Sequence, residues 1–205
     1  KTKMVSKKRL AEELDISFKK KIFVVTYHPV TLENESAEEQ LLNLLDVLKD
    51  YNNNTLIFTS PNSDINNKII FRLIKKFTKK NINTYFFESL GRKNYYSLLK
   101  ICDLVIGNSS SGIIEVPYFK KPTVNIGDRQ KGRLKSSSVI DCKISKRSIK
   151  KSINIALSEK FLSKCKKNIY VYGKGGASRK AYKIIIKMIN KLNIKKSFND
   201  IDFKL

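Results

Sequence analysis

The sequence predicts an α/β fold, a Rossmann-like doubly wound parallel sheet, and three observations predict it. Apolar β-branched runs alternate with amphipathic segments along the whole chain. The runs are continuously apolar instead of alternating, as strands covered on both faces must be. The connections between them are short, as consecutive strand–helix units require. With 205 residues, of which 41% are hydrophobic and 10% aromatic, the chain can fill one good core and is short for two.

The elements follow in order. Ser6 caps a short helix over residues 7–14. The run Lys-Ile-Phe-Val-Val-Thr-Tyr at 21–27 is the first strand. Ser36-Ala37-Glu38-Glu39 is a capping box, and Leu41, Leu44, Leu45 and Leu48 follow at helical spacing. Residues 55–59 make the second strand. Residues 65–80 make a helix with Ile69, Leu73, Ile74 and Phe77 on one face. A third strand falls at 84–87 and a helix at 95–102. Leu104-Val105-Ile106 is the fourth strand and runs directly into Gly107-Asn108-Ser109-Ser110-Ser111-Gly112 and a short helix. Strands at 122–126 and 138–141 complete the sheet, and two or three helices close the chain, the last at about 177–192. Residues 1–192 are therefore expected to form one domain and 193–205 a basic tail. An opening helix with no strand before it, behind Lys1-Thr2-Lys3-Met4, suggests a domain cut from a longer chain.

Composition excludes several classes. No apolar stretch reaches the eighteen residues of a membrane span, and the start has no signal-peptide core. Cys102, Cys142 and Cys165 are too far apart for a zinc knuckle, and a single histidine argues against a Cys/His site, so no metal and no cofactor are expected. Cys102 and Cys142 read as core residues, which suits a reducing, cytoplasmic setting. The net charge of +24 suggests a polyanion partner, nucleic acid or an anionic membrane. Against that, the lysines are spread over nearly every helix and no nucleic-acid-binding motif accompanies them. A nucleic-acid partner is not expected.

Ligands of doubly wound sheets bind outside the carboxyl ends of the strands. There the chain places candidates one after another. His28, the only histidine, follows the first strand and can donate to a phosphate oxygen or act as an acid. Asn62 follows the second and can both donate and accept. After the fourth come Ser109, Ser110 and Ser111, whose hydroxyls and amides at a helix start suit a phosphate. Glu115, one turn further on, can accept two ribose hydroxyls. The fifth strand ends in Gly127-Asp128-Arg129-Gln130-Lys131-Gly132-Arg133, where Arg129 and, secondarily, Arg133 can fork onto a diphosphate. Gly173-Lys174-Gly175-Gly176-Ala177-Ser178 also looks like a nucleotide loop. It follows no clear strand, so a flexible hinge with a serine cap is at least as good a reading, and Gly175 is a second-tier site candidate.

Taken together, His28-Pro29-Val30-Thr31, the serine turn through Glu115, residues 125–133 and residues 173–178 resemble the carboxyl-terminal half of UDP-N-acetylglucosamine 2-epimerases. The likeness runs from about residue 20 to 190. His-Pro-Val-Thr stands where the non-hydrolysing branch usually has His-Arg-Arg-Glu-Asn, which favours the hydrolysing branch. The resemblance implies one half of a GT-B type two-domain enzyme that makes a free N-acetylmannosamine-type sugar and UDP. It further implies Ser109 and Ser110 at the phosphates, Glu115 at the ribose, and His28 and Arg129 beside the diphosphate. Asn62 would lie near the nucleotide, and the uracil would rest on main chain around Ser89 and Leu90. The expected partners are a UDP-sugar, the missing amino-terminal domain and, at full length, a second copy. The rivals are the donor domain of a GT-B glycosyltransferase and a basic nucleic-acid or anionic-membrane module.

Overall fold

A computed structural model describes residues 2–30, 36–62, 67–173, 175–189 and 195. Six strands, β1 (Ile22–Thr26), β2 (Thr55–Thr59), β3 (Thr84–Phe87), β4 (Leu104–Gly107), β5 (Thr123–Ile126) and β6 (Val139–Cys142), form one sheet in the order β3-β2-β1-β4-β5-β6. Every neighbouring pair is parallel. This is the doubly wound order, whose direction reverses between β1 and β4.

Both faces of the sheet are covered, which is why the strands carry no polar alternation. Phe23 and Val25 of β1, Leu56 and Phe58 of β2, and Leu104 and Ile106 of β4 belong to one core cluster. Helices α2 (Ala37–Leu48), α3 (Asn67–Lys80) and α6 (Lys146–Ala156) complete it with Leu41, Leu44, Ile74 and Ile153. Ile22, Val24, Ile57 and Val105 point the other way. They pack under α1 (Lys7–Leu14) and α4 (Gly91–Ile101), with Leu10, Leu98 and Leu99.

The capping box on α2 forms with both of its bonds, and Ser6 caps α1. On α3 the buried face is Ile70, Ile74 and Phe77, so the stripe is rotated from the expected one and Ile69 is only half-buried. The expected start of α3 at Ile65 lies outside the described residues. Cys102 is fully buried, while Cys142 is half-buried against the core edge. Burial pushes both thiols up, Cys102 to about 12 and Cys142 to about 11.

The chain divides into two compact units, residues 1–172 and 173–205. The first holds the whole sheet and α7 (Glu159–Lys166). The second contains α8 (Ala177–Met188), which starts from Gly176 in the left-handed region without a side-chain cap. The expected serine cap is therefore replaced by a glycine turn. The expected end of this helix at Leu192 and the tail from 193 lie outside the described residues, Lys195 apart. No helix among the described residues is long and apolar enough to cross a membrane.

Candidate active site

The reversal point between β1 and β4 carries a cleft of about 430 Å³. Its walls include His28 after β1, Thr59 at the end of β2, Leu90 and Tyr95 of the α4 region, and Ser109, Ser111 and Glu115 after β4. Five of the expected site residues thus meet in one place. They do so because parallel strands all deliver their carboxyl ends to the same edge.

His28 is held through its ring by the turn after β2. The main-chain N–H of Asn62 donates to its Nδ1 at 2.9 Å. A neutral imidazole that accepts at Nδ1 carries its proton on Nε2, so this contact sets the tautomer. Asn62 meets the histidine through its backbone, and the described cleft wall does not include it.

The serine turn differs from a helix-dipole site. The helix after it, α5 (Ser111–Ile114), is a single turn, and residues 116–119 continue as a 3₁₀ turn. So short a helix sums few peptide dipoles, and the donors it offers are individual amides and hydroxyls. The amides of Ser109 and Ser110 find no acceptor among the described residues. Ser110 caps α5 by position, without a side-chain bond. Ser111 Oγ is hydrogen-bonded to the Tyr95 hydroxyl, and its amide donates to Ser109 Oγ at 3.3 Å. Burial holds the Tyr95 hydroxyl well above its ordinary range, so it stays protonated.

Two glycines of the turn are fixed by close contacts. A Cβ on Gly107 would lie 1.9 Å from the Thr26 carbonyl oxygen, and its φ is +136°. A Cβ on Gly112 would lie 2.8 Å from Thr123 Cγ2, because α5 sits directly on β5. Gly107 lets β4 turn away beside β1, and Gly112 lets the single-turn helix sit close to the sheet.

Arg129 is half-buried, and its Nη1 donates to the Asn108 carbonyl oxygen at 3.3 Å. Arg133 is exposed, with its main-chain N–H on Gln130. Gly175 belongs to the second unit. Sequence reasoning missed Thr26, Thr59, Arg92, Tyr95 and Tyr96, all on the cleft wall. Arg92 falls outside the expected helix because α4 begins at Gly91, a turn before the expected start at residue 95. Gly91 at φ +63°, its amide bonded to Ser89 Oγ, starts the helix early and brings Arg92 and Tyr95 to the cleft. A glycine just after a strand end was the available signal.

A second cleft of about 460 Å³ lies over the ends of β5 and β6. Its charges are partly paired already, Lys135 with Asp141 and Lys131 with Asp128. No group of His, Cys, Asp and Glu that could hold a metal occurs among the described residues.

Residues 2–186 match the family described as UDP-N-acetylglucosamine 2-epimerase. The chain belongs to this family. It is 42% identical over 141 residues to a GDP/UDP-N,N'-diacetylbacillosamine 2-epimerase (hydrolyzing) of Campylobacter jejuni, over 68% of this chain and 37% of that one. It is 40% identical over 186 residues to a polysialic acid biosynthesis protein of Escherichia coli, covering 89% and 47%. The chain spans less than half the length of these curated relatives. A crystal structure of the Methanocaldococcus jannaschii UDP-GlcNAc 2-epimerase with UDP-GlcNAc and UDP shares the fold. Its TM-score is 0.65 at 19% identity, over 89% of this chain and 49% of that one. The fold is the Rossmann-like type of the GT-B enzymes.

Proposed function

We propose that this chain is the UDP-gripping, carboxyl-terminal half of a hydrolysing UDP-N-acetylglucosamine 2-epimerase. Its substrate is UDP-N-acetylglucosamine or a diacetylated bacillosamine analogue, and its products are UDP and a free N-acetylmannosamine-type sugar for nonulosonic-acid synthesis. The observation that carries the reading is the meeting of His28, Ser109 and Glu115 in one cleft at the sheet's reversal point. The hydrolysing activity in the name of the Campylobacter relative supports the hydrolysing branch.

The reaction is an elimination followed by hydration. The sugar C2 loses a proton, the C1–O bond breaks with its electron pair on the phosphate oxygen, and a C1=C2 double bond forms. Water then returns a hydroxyl to C1 and a proton to C2. In the first step charge develops on the departing diphosphate, where preorganised donors have most effect. His28 through Nε2–H, the amides of Ser109 and Ser110, and the Arg129 guanidinium supply them. Glu115 accepts the ribose hydroxyls, and the uracil lies along Ser89 and Leu90. The carboxylates that act on the sugar come from the other half of the enzyme, so this chain alone binds UDP and turns nothing over.

Calorimetric titration tests the reading. UDP is expected to bind at least about ten-fold more tightly than uridine, a difference of about 1.4 kcal/mol from the diphosphate donors. Glu115→Gln should lower UDP affinity about five-fold and erase any preference for UDP over its 2'-deoxy analogue. Equal affinity for UDP, UMP and duplex DNA, falling steeply with salt, would identify a basic anion-binding module instead. With the full-length enzyme and UDP-N-acetylglucosamine, free N-acetylmannosamine supports the epimerase, while transfer to an acceptor marks a glycosyltransferase.

A further inference from the structure

Asn108 is fully buried inside the serine turn, and none of the roles above uses its side chain. Its contacts reach two other strand ends. The carboxamide Oδ1 accepts from the His28 main-chain N–H at 2.7 Å, and Nδ2 donates to the His28 carbonyl oxygen at 2.8 Å. Its own carbonyl oxygen accepts from Arg129 Nη1 at 3.3 Å and from Gln130 Nε2 at 2.8 Å.

The reason lies in the ladder between β1 and β4. Their parallel pairing ends at Thr26 and Gly107, and the Asn108 amide donates to the Thr26 carbonyl at 3.2 Å. At Gly107 the backbone of β4 turns away to form the serine turn, so it cannot pair with His28. The carboxamide has the donor and acceptor of a peptide group and stands in for the missing main chain. The turn also leaves the Asn108 carbonyl facing the β5 loop, where Arg129 and the buried Gln130 bind it.

We infer that Asn108 is the positioning residue of the diphosphate site, a clip that fixes the backbone of His28 and the side chain of Arg129 relative to the serine turn. The inference rests on the UDP reading for its consequence and on the structure alone for the clip. Asparagine is needed because aspartate of the same shape loses the donor to the His28 carbonyl and sets a buried negative charge against it. Gln130 secures the other end of the clip.

The chain has one histidine, so the ¹⁵N spectrum of labelled protein reports His28 alone. In the native chain it should show one neutral tautomer, protonated at Nε2. Asn108→Asp and the milder Asn108→Ser should give mixed tautomers, because a displaced His28 backbone spoils the Asn62 contact. In calorimetry both variants should bind UDP at least about ten-fold more weakly and uridine within two-fold of the native chain, since only the diphosphate donors move. Gln130→Met should give a smaller loss of the same kind. A native-like histidine spectrum in both variants overturns the clip, as does an equal loss for UDP and uridine, which would mean general destabilisation. Absence of UDP binding by the native chain refutes the UDP reading instead, and the histidine spectrum still decides the clip without ligand.

Discussion

Two glycine-rich loops of this chain look alike in sequence and differ in what the glycines do. The serine turn at 107–112 leaves a central strand at the sheet's reversal point, and its glycines are forced by neighbours, a carbonyl at 1.9 Å and a methyl at 2.8 Å from any added Cβ. In the loop at 173–178, Gly173, Gly175 and Gly176 have φ between +83° and +86°, and an added Cβ meets no atom within 4 Å among the described residues. The first loop uses glycine for close approach, the second for a left-handed turn. Close approach of backbone is what a ligand cradle needs, and a left-handed turn alone does not supply it.

Substitutions break or sharpen this contrast. Gly107→Ala drives a methyl into the Thr26 carbonyl in a backbone region closed to L-residues, and should cost about 4 kcal/mol or more. Denaturant melts would show it as a large drop in midpoint or as failure to fold. Gly112→Ala meets a side-chain methyl instead, and about 1–2 kcal/mol is expected. Thr123→Ser removes that methyl while keeping the hydroxyl that donates to the Gly112 carbonyl, so the double variant should recover much of the loss in a double-mutant cycle. Gly175→Ala should cost about 1 kcal/mol, the penalty for an L-residue in the left-handed region, and leave UDP affinity within two-fold. A ten-fold loss of UDP affinity there would erase the distinction between the two loops.

The smallest effect lies outside both loops. The Lys146 ammonium, then Lys49, holds the Asp46 carboxyl at about 2, tying α2 to α6. A carboxyl held low stabilises the fold while ionised, above its ordinary value of 3.8, and that contribution is lost as pH falls through about 2. Asp46→Asn should therefore lower Tm slightly near neutral pH. The difference should fade between about pH 4 and pH 2, and also with added salt, because the pair is exposed.

The same division separates what could be read early from what could not. His28, Ser109 and Glu115 were legible because each follows a recognisable apolar run, and a parallel sheet brings such ends together. Tyr95 on Ser111 was not, because the contact depends on where α4 begins, and one glycine shifted that by a turn. Asn108 stood in plain view within the turn. Its bonds to His28 cross 80 residues of sequence, and no local pattern encodes which carbonyl a buried amide will meet. The helix after the turn also proved a single turn, so discrete amides replace the expected dipole.

The sequence by itself determined the order and type of the elements, since continuous apolar runs and capped amphipathic segments follow from local sterics and burial. It also determined the residue types at the strand ends. Only the tertiary structure decided which of them share a cleft, which tautomer His28 adopts, and that Asn108 joins three strand ends. Those are matters of distance between segments far apart in the chain. Hydrogen bonds work only within a few tenths of an ångström, which the packed sheet fixes and a local pattern does not.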